Sequence, residues 1–221
     1  MATVIYPSPV FGPVKSRRLG RSLGVNLLPE DGKVCSFDCI YCECGFNDDF
    51  RPKAKLPTRE CVRTELEKRL SAMKAAGETL DALTFSGNGE PTSHPDFDRI
   101  ADDVKLLRDK YYPEAKVCLL TNATHLTKPR VFEAVKKLDK ACLKLDTVNP
   151  EYIRFVDRPN CPYDVNVVIE RMKACGGRCI IQTMFMKGTW QGKSVDNTTD
   201  DYVLPWVKTV ADIRPAGVDI Y

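Results

Sequence analysis

Four cysteines crowd residues 35–44, CSFDCIYCEC, and the first three are spaced C-x3-C-x2-C. Thiolates bind zinc and iron–sulfur clusters. Zinc sites more often use C-x2-C pairs or a histidine partner, and the only histidines, His94 and His125, lie far away in sequence. Cys35, Cys39 and Cys42 fit one short loop with converging sulfurs. Cys44 follows Cys42 after a single residue, a tight bite for two ligands of one ion. Three protein ligands leave one metal position open, which implies a bound cofactor or substrate; a structural zinc knuckle is the plainer alternative. A second stretch, GNGEP at residues 87–91, joins two glycines to a carboxylate. Glycine lets the backbone approach a ligand closely, and Glu90 can accept from an ammonium group.

The elements that must position these residues read as short apolar runs alternating with amphipathic ones. Candidate strands cover 22–28, 81–86, 116–121, 141–146, 179–185 and 217–221, rich in Val, Ile, Leu, Phe and Thr. Between them, Val62, Leu66, Leu70 and Met73 repeat on one helical face and Gly77 is a stop. Phe97, Ile100, Val104 and Leu107 make a second stripe. Val131, Val135 and Leu138 make a third, with Thr127 as its candidate cap. A fourth helix is expected near 164–174, and a fifth carries Val203, Trp206, Val207 and Val210. Strand–helix–strand repeated in this way predicts a parallel sheet with right-handed crossovers. Six parallel strands can lie open and doubly wound or curl into a partial barrel; both put their chemistry at the C-terminal strand ends. Those ends are polar here: the cysteine loop, residues 86–91, Thr121 and Asn122, Lys144 and Asp146, and Gln182.

The C-x3-C-x2-C loop, with aromatic Tyr41 before its last cysteine, resembles the signature of the radical S-adenosylmethionine (radical SAM) enzymes. The resemblance implies an α/β fold, a partial (β/α)6 TIM-like barrel with the cluster loop directly after its first strand. It implies a [4Fe-4S] cluster held by Cys35, Cys39 and Cys42, with S-adenosyl-L-methionine on the fourth iron. In that family the reduced cluster cleaves this molecule to a 5′-deoxyadenosyl radical, which abstracts a hydrogen atom. Residues 87–91 look like the family's glycine-glycine-glutamate element, so Gly87, Gly89 and Glu90 are candidates for the methionine end. Tyr41 is a candidate for the adenine side. Asn122, Lys144, Asp146 and Gln182 are weaker candidates for cofactor or substrate contact; an ion pair between Lys144 and Asp146 is the simpler reading of those two. The stretch SRRLGRSLGVNLLP is similar to a subgroup near the enzymes that build wyosine bases on tRNA. The implied partners are an electron donor such as flavodoxin or ferredoxin and an unidentified substrate: an RNA, a peptide or a metabolite. A non-catalytic iron–sulfur, zinc-binding or electron-transfer protein on the same barrel is the alternative.

The remaining features set bounds. One radical SAM domain is expected over 1–221, with the last helix absent because the chain stops inside its last expected strand; a shortened barrel and a cut chain both fit. The formal net charge of +3 argues neither for nor against a polyanionic partner. No apolar run is long enough to span a membrane. The N-terminal order of charge and apolar residues is wrong for a secretory signal, so a cytoplasmic protein is expected. Lys15, Arg17, Arg18 and Arg21, with Arg51, Lys53, Lys55 and Arg59, read as a solvated basic surface, since no aromatic residues interleave them. Cys118 and Cys142 fall in strands and read as small core groups. Cys161, Cys175 and Cys179 have ligand-like spacing, but a second cluster is not expected.

Overall fold

The computed structural model describes residues 3–221. The chain opens with an antiparallel hairpin, β1 (Val10–Ser16) and β2 (Gly20–Val25). Crossover units follow: α1 (Arg59–Ala75), β3 (Ala82–Phe85), α2 (Phe97–Tyr111), β4 (Lys116–Thr121), α3 (Pro129–Lys136) and β5 (Lys140–Lys144). A short α4 (Pro150–Tyr152) runs into a π-helical turn, Ile153–Asp157, and then α5 (Val165–Lys173) and β6 (Cys179–Thr183). A small hairpin, β7 (Thr189–Trp190) and β8 (Lys193–Ser194), precedes α6 (Asp200–Ile213) and β9 (Gly217–Ile220).

The main sheet has the order β1-β2-β3-β4-β5-β6-β9, and every pairing from β2 onward is parallel. That order decides between the two expected architectures. A doubly wound sheet reverses direction at a switch point, whereas here each new parallel strand is added on the same side of the last. The sheet edges also approach each other. Arg18, in the β1–β2 turn, donates to the Ile220 carbonyl at 2.7 Å and pairs with Asp219 at 3.3 Å. The result is a curled, partial barrel of six parallel strands with one antiparallel strand at its edge.

Alternation along the strands separates a dry face from a polar one. Leu23, Val25, Leu83, Phe85, Val117, Leu119, Leu143 and Ile181 are fully buried against the helices. On α1 the facing stripe is Val62, Leu66, Leu70 and Met73. The Thr58 side chain caps that helix by accepting from Cys61 N at 3.2 Å, and Gly77 ends it at φ +69°. Thr127 does not cap α3. It ends a preceding 3₁₀ turn, Thr124–Thr127, and Lys128 takes the cap position with no side-chain bond. The other strand face carries Ser22, hydrogen-bonded to Thr84 at 2.7 Å, and the buried Cys118 and Cys142.

Candidate functional site

The 33 residues between β2 and α1 carry the cysteine loop, and three separate devices fix its shape. Along its outer side, Asn160 N donates to Ser36 O (3.0 Å), Asp38 N to Arg158 O (3.0 Å) and Ile40 N to Val156 O (2.9 Å). Every second residue of the loop is thus bonded to the segment leaving the π-helical turn, an antiparallel ladder in miniature. Beneath the loop lies a polar network. Asn47 Oδ1 accepts from Cys35 N (2.9 Å), while Asn47 Nδ2 donates to Cys35 O (3.1 Å) and to Asp38 Oδ1 (2.7 Å). Lys33, 2% exposed, donates from Nζ to Gly45 O (2.6 Å) and Asp38 Oδ1 (3.2 Å). On the inner side, Val34 N donates to Asn88 O (2.9 Å) and Glu90 N to Val34 O (3.1 Å), which fastens the loop to the stretch after β3.

Both glycines of that stretch are required by this packing. Gly87 and Gly89 have φ of +136° and +132°. A Cβ on Gly89 would lie 2.0 Å from the Val34 carbonyl, and one on Gly87 would lie 2.6 Å from the Asn26 side chain. Their partner is therefore the chain itself. Between them, Asn88 is fully buried: Nδ2 donates to Tyr6 O (2.9 Å) and Pro29 O (2.7 Å), and Oδ1 accepts from Tyr6 N (2.8 Å).

Glu90 is also buried, and both oxygens of its carboxylate accept hydrogen bonds. One oxygen accepts from Thr92 N (3.0 Å), the Thr92 hydroxyl and the Thr121 hydroxyl (2.6 Å); the other accepts from Asn122 N (2.7 Å). Three donors crowd one oxygen, while the other has Asn122 N alone and keeps capacity for a second donor. Burial raises its pKa, against the lowering effect of these bonds. Asn122 in turn donates to Ser36 Oγ (2.9 Å), and its Nδ2 lies 3.7 Å from the Cys35 sulfur. Glu90 and Asn122 thus join the ends of β3 and β4 to the cysteine loop.

A second polar centre lies at the end of β5. Lys144 is bonded to Asp146, to the Tyr41 hydroxyl and to Asp157 at 2.9 Å, with its ammonium 4.9 Å from the Tyr41 ring centre. The other oxygen of Asp146 accepts from Met184 N at 2.9 Å. The simpler reading of Lys144 and Asp146 as an ion pair describes this arrangement, but it is larger than expected. Burial pushes Asp157 up to about 7, with Lys144 opposing and Asp146 adding to the shift. Burial also raises the Tyr41 hydroxyl. Gln182 stands in register with Lys144, and among the described residues its side chain makes no hydrogen bond.

The thiols differ in character. Burial, then the Glu90 carboxylate, pushes Cys35 up to about 12. Burial also raises Cys39. Cys42 falls to about 6, chiefly because the Cys44 thiol donates to it and then because the Lys33 charge favours the thiolate. Cys44 is raised by the same contact, and its sulfur lies 3.5 Å from Gly87 O. All ten cysteines are free. Among the described residues no three His, Cys, Asp or Glu side chains group around one ion position. A four-iron cluster needs no such convergence, because each thiolate binds its own iron. Three free thiols on one fixed loop, two of them within electrostatic reach of the Cys35 sulfur, are a donor set that fits such a cluster.

The remaining cysteines are dispersed. Cys175 and Cys179 are buried, free thiols that donate to the Arg171 carbonyl (3.4 Å) and the Met172 carbonyl (3.9 Å), while Cys161 lies 3.9 Å from Ser36 O. Several basic residues are tied to acids, as a solvated surface would have them: Arg21 to Glu78, Arg51 to Asp48 (2.6 Å) and Arg59 to Asp103 (2.6 Å). Sequence reading missed Lys33, Asp38, Asn47, Asn88 and Asp157: the first three pair within one irregular loop at spacings of no helix or strand period, and Asn88 and Asp157 meet partners on other segments. Among the described residues, no helix is long and apolar enough to cross a membrane.

The model of the radical SAM superfamily matches residues 30–189. A Brachyspira hyodysenteriae protein described as GTPase Obg is 30% identical over 215 residues, covering 96% of this chain and 29% of its own length. A UPF0026 protein of Helicobacter pylori is 31% identical over 186 residues, covering 82% of this chain and 58% of its own length. The chain thus spans less than two thirds of either relative. A radical SAM methyltransferase from Sphaerobacter thermophilus aligns with a TM-score of 0.62 at 14% identity, covering 90% of this chain and 55% of its own. TYW1 carrying a lysine–pyruvate adduct aligns with a TM-score of 0.58 at 13% identity, covering 91% and 65%. At those identities the likeness is one of fold.

Proposed function

The chain belongs to the radical SAM superfamily, and from that premise we propose that it is an enzyme in which Cys35, Cys39 and Cys42 hold a [4Fe-4S] cluster. The reading is carried by one observation: the three-cysteine loop leaves the first parallel strand and is bonded through Val34 to the GNGEP stretch leaving the second. Cys35, Cys39 and Cys42 would hold the cluster, which when reduced would supply the electron for reductive cleavage of S-adenosyl-L-methionine and so the means of taking a hydrogen atom from the substrate.

The chain's own part is to bind, orient and exclude water. Three protein thiolates, one short of a four-cysteine set, would leave the cluster open to the methionine end of the cofactor. Gly87, Gly89 and Glu90 border that end. The Glu90 carboxylate holds the Asn122 amide and so the cysteine loop in register, and its less occupied oxygen keeps one acceptor site for the cofactor's ammonium group. Tyr41, Lys144, Asp146 and Gln182 face the remainder of the site, and Gln182 has the amide that is free to meet a ligand. Ile40, Tyr41, Met186 and Trp190 pack around Val156 and Val195 and close one side against solvent. The substrate is an RNA, a peptide or a metabolite, and the electron comes from a flavodoxin- or ferredoxin-like donor.

The test is anaerobic: load iron and sulfide, reduce, add S-adenosyl-L-methionine and measure 5′-deoxyadenosine. A loaded protein that forms none, with an EPR signal indifferent to the added cofactor, is a binding or electron-transfer protein instead. Cys42→Ala should lose the cluster and Cys44→Ala should keep it; equal loss would favour a four-thiolate site.

A further inference from the structure

Lys33 is an unusual residue to find wholly inside a protein. Its side chain is 1% exposed, and removing an ammonium from water costs several kcal/mol unless it is well paired. Its hydrogen bonds span the cysteine loop. Gly45, whose carbonyl accepts at 2.6 Å, closes the turn after Cys42 by donating to the Cys42 carbonyl at 3.0 Å. Asp38, which accepts at 3.2 Å, lies between Cys35 and Cys39. The ammonium is therefore fixed under the loop, paired with the Asp38 carboxylate and bonded to the carbonyl of the residue after Cys44; the thiols of Cys42 and Cys35 add to what keeps it charged. A neutral amide donor could make the same two bonds without the cost of burying a charge. A positive charge held there acts on the thiols of the loop as well as on Asp38, which a neutral donor would not do.

We propose that Lys33 tunes the cluster held by Cys35, Cys39 and Cys42, its buried ammonium acting as a fixed positive charge that favours the reduced form and so makes the reduction potential less negative. This rests on the reading of those cysteines as cluster ligands. The step concerned is the uptake of one electron from a one-electron donor, with no bond made or broken. That electron makes an already anionic cluster more anionic, and a cation held in a low-dielectric interior stabilises the product more than the reactant. Asp38 opposes Lys33 in part, because it places a carboxylate at the same ammonium. Lys33 is a positioning and tuning residue here; it touches neither substrate nor reacting atoms.

The two side chains predict shifts of opposite sign. The full chain is loaded with iron and sulfide, its metal content is measured, and it is titrated with dithionite while the EPR signal of the reduced cluster is followed. Lys33→Met should keep its iron but lower the reduced-to-oxidised ratio at a fixed potential by about tenfold, a shift of ~59 mV for a one-electron couple. Lys33→Arg should titrate close to wild type, and Asp38→Asn should shift the other way. A purely structural role would loosen the loop in both neutralising variants and move them in the same direction. If Lys33→Met and Asp38→Asn shift together, or Lys33→Met titrates as wild type, the proposal is wrong while the cluster reading stands. If Lys33→Met does not fold, Lys33→Gln decides, since it keeps a neutral donor for Gly45 O and Asp38: a downward shift with iron retained supports the role, and a wild-type titration overturns it. A wild-type chain that takes up no iron and sulfide overturns the cluster reading and this proposal with it.

Discussion

Asn88→Ala should destabilise the chain far more than its place in a glycine-rich turn suggests. The side chain is fully buried and makes three hydrogen bonds, two to the carbonyls of Tyr6 and Pro29 and one from the Tyr6 amide. Truncation leaves all three backbone groups without that partner. At about 1 kcal/mol for each bond, the loss is ~3 kcal/mol, reduced to ~2 kcal/mol if water reaches the half-buried Tyr6. Urea unfolding of the two proteins side by side measures it, read as a shift in midpoint at unchanged slope. Asn88→Asp sharpens the test. A carboxylate can still accept from the Tyr6 amide, but it turns two donor contacts into repulsion against carbonyl oxygens and buries a charge. It should therefore be no better tolerated than alanine. A loss below ~0.5 kcal/mol for Asn88→Ala, or wild-type stability for Asn88→Asp, would refute the view that this residue ties the N-terminal segment to the loop.

Three further outcomes can be checked. Gly89→Ala puts a methyl group 2.0 Å from the Val34 carbonyl at a φ of +132°, so bound iron after anaerobic loading should fall by more than half while helical circular dichroism persists. Leu66→Ala, at a site with no exposure, should cost about 2–5 kcal/mol in urea unfolding. His125 is held down at about 4 by burial and the nearby Lys128 charge, so the unfolded chain, with its imidazole near ~6.5, takes up a proton first as pH falls. The stability this gives is complete above that value and is lost as pH drops towards 4. After allowance for half-exposure, His125→Gln should remove ~1–2 kcal/mol of the difference between pH 7 and pH 4.5.

The six parallel strands and the five long helices were legible because each carries its own periodicity. Val62, Leu66, Leu70 and Met73 mark a helix face without help from any other segment. The antiparallel strand β1 was not legible: Gly12 and Pro13 interrupt it, and its ladder shifts register between Phe11 and Val14. A proline is acceptable there only because the strand lies at an edge. The cysteines and GNGEP could be picked out because spacing and residue type both point to a ligand. What spacing could not reveal is where the neighbouring polar groups are directed. Glu90 is a carboxylate beside glycines in sequence, but in three dimensions it is a buried acceptor bonded to Thr92, Thr121 and Asn122. Lys33 and Asp157 are ordinary charged residues until residues 35–47 and 144–157 are brought together.

The short ladder between the cysteine loop and residues 156–160 also bears on how the protein is made. The loop is translated more than a hundred residues before the segment that brackets it. During that interval Ser36, Asp38 and Ile40 lack their backbone partners, and the three thiols are carried by a chain with one side undone. Contacts between residues so far apart form late. The loop proposed to hold the cluster is therefore braced on both sides only once Val156, Arg158 and Asn160 have left the ribosome.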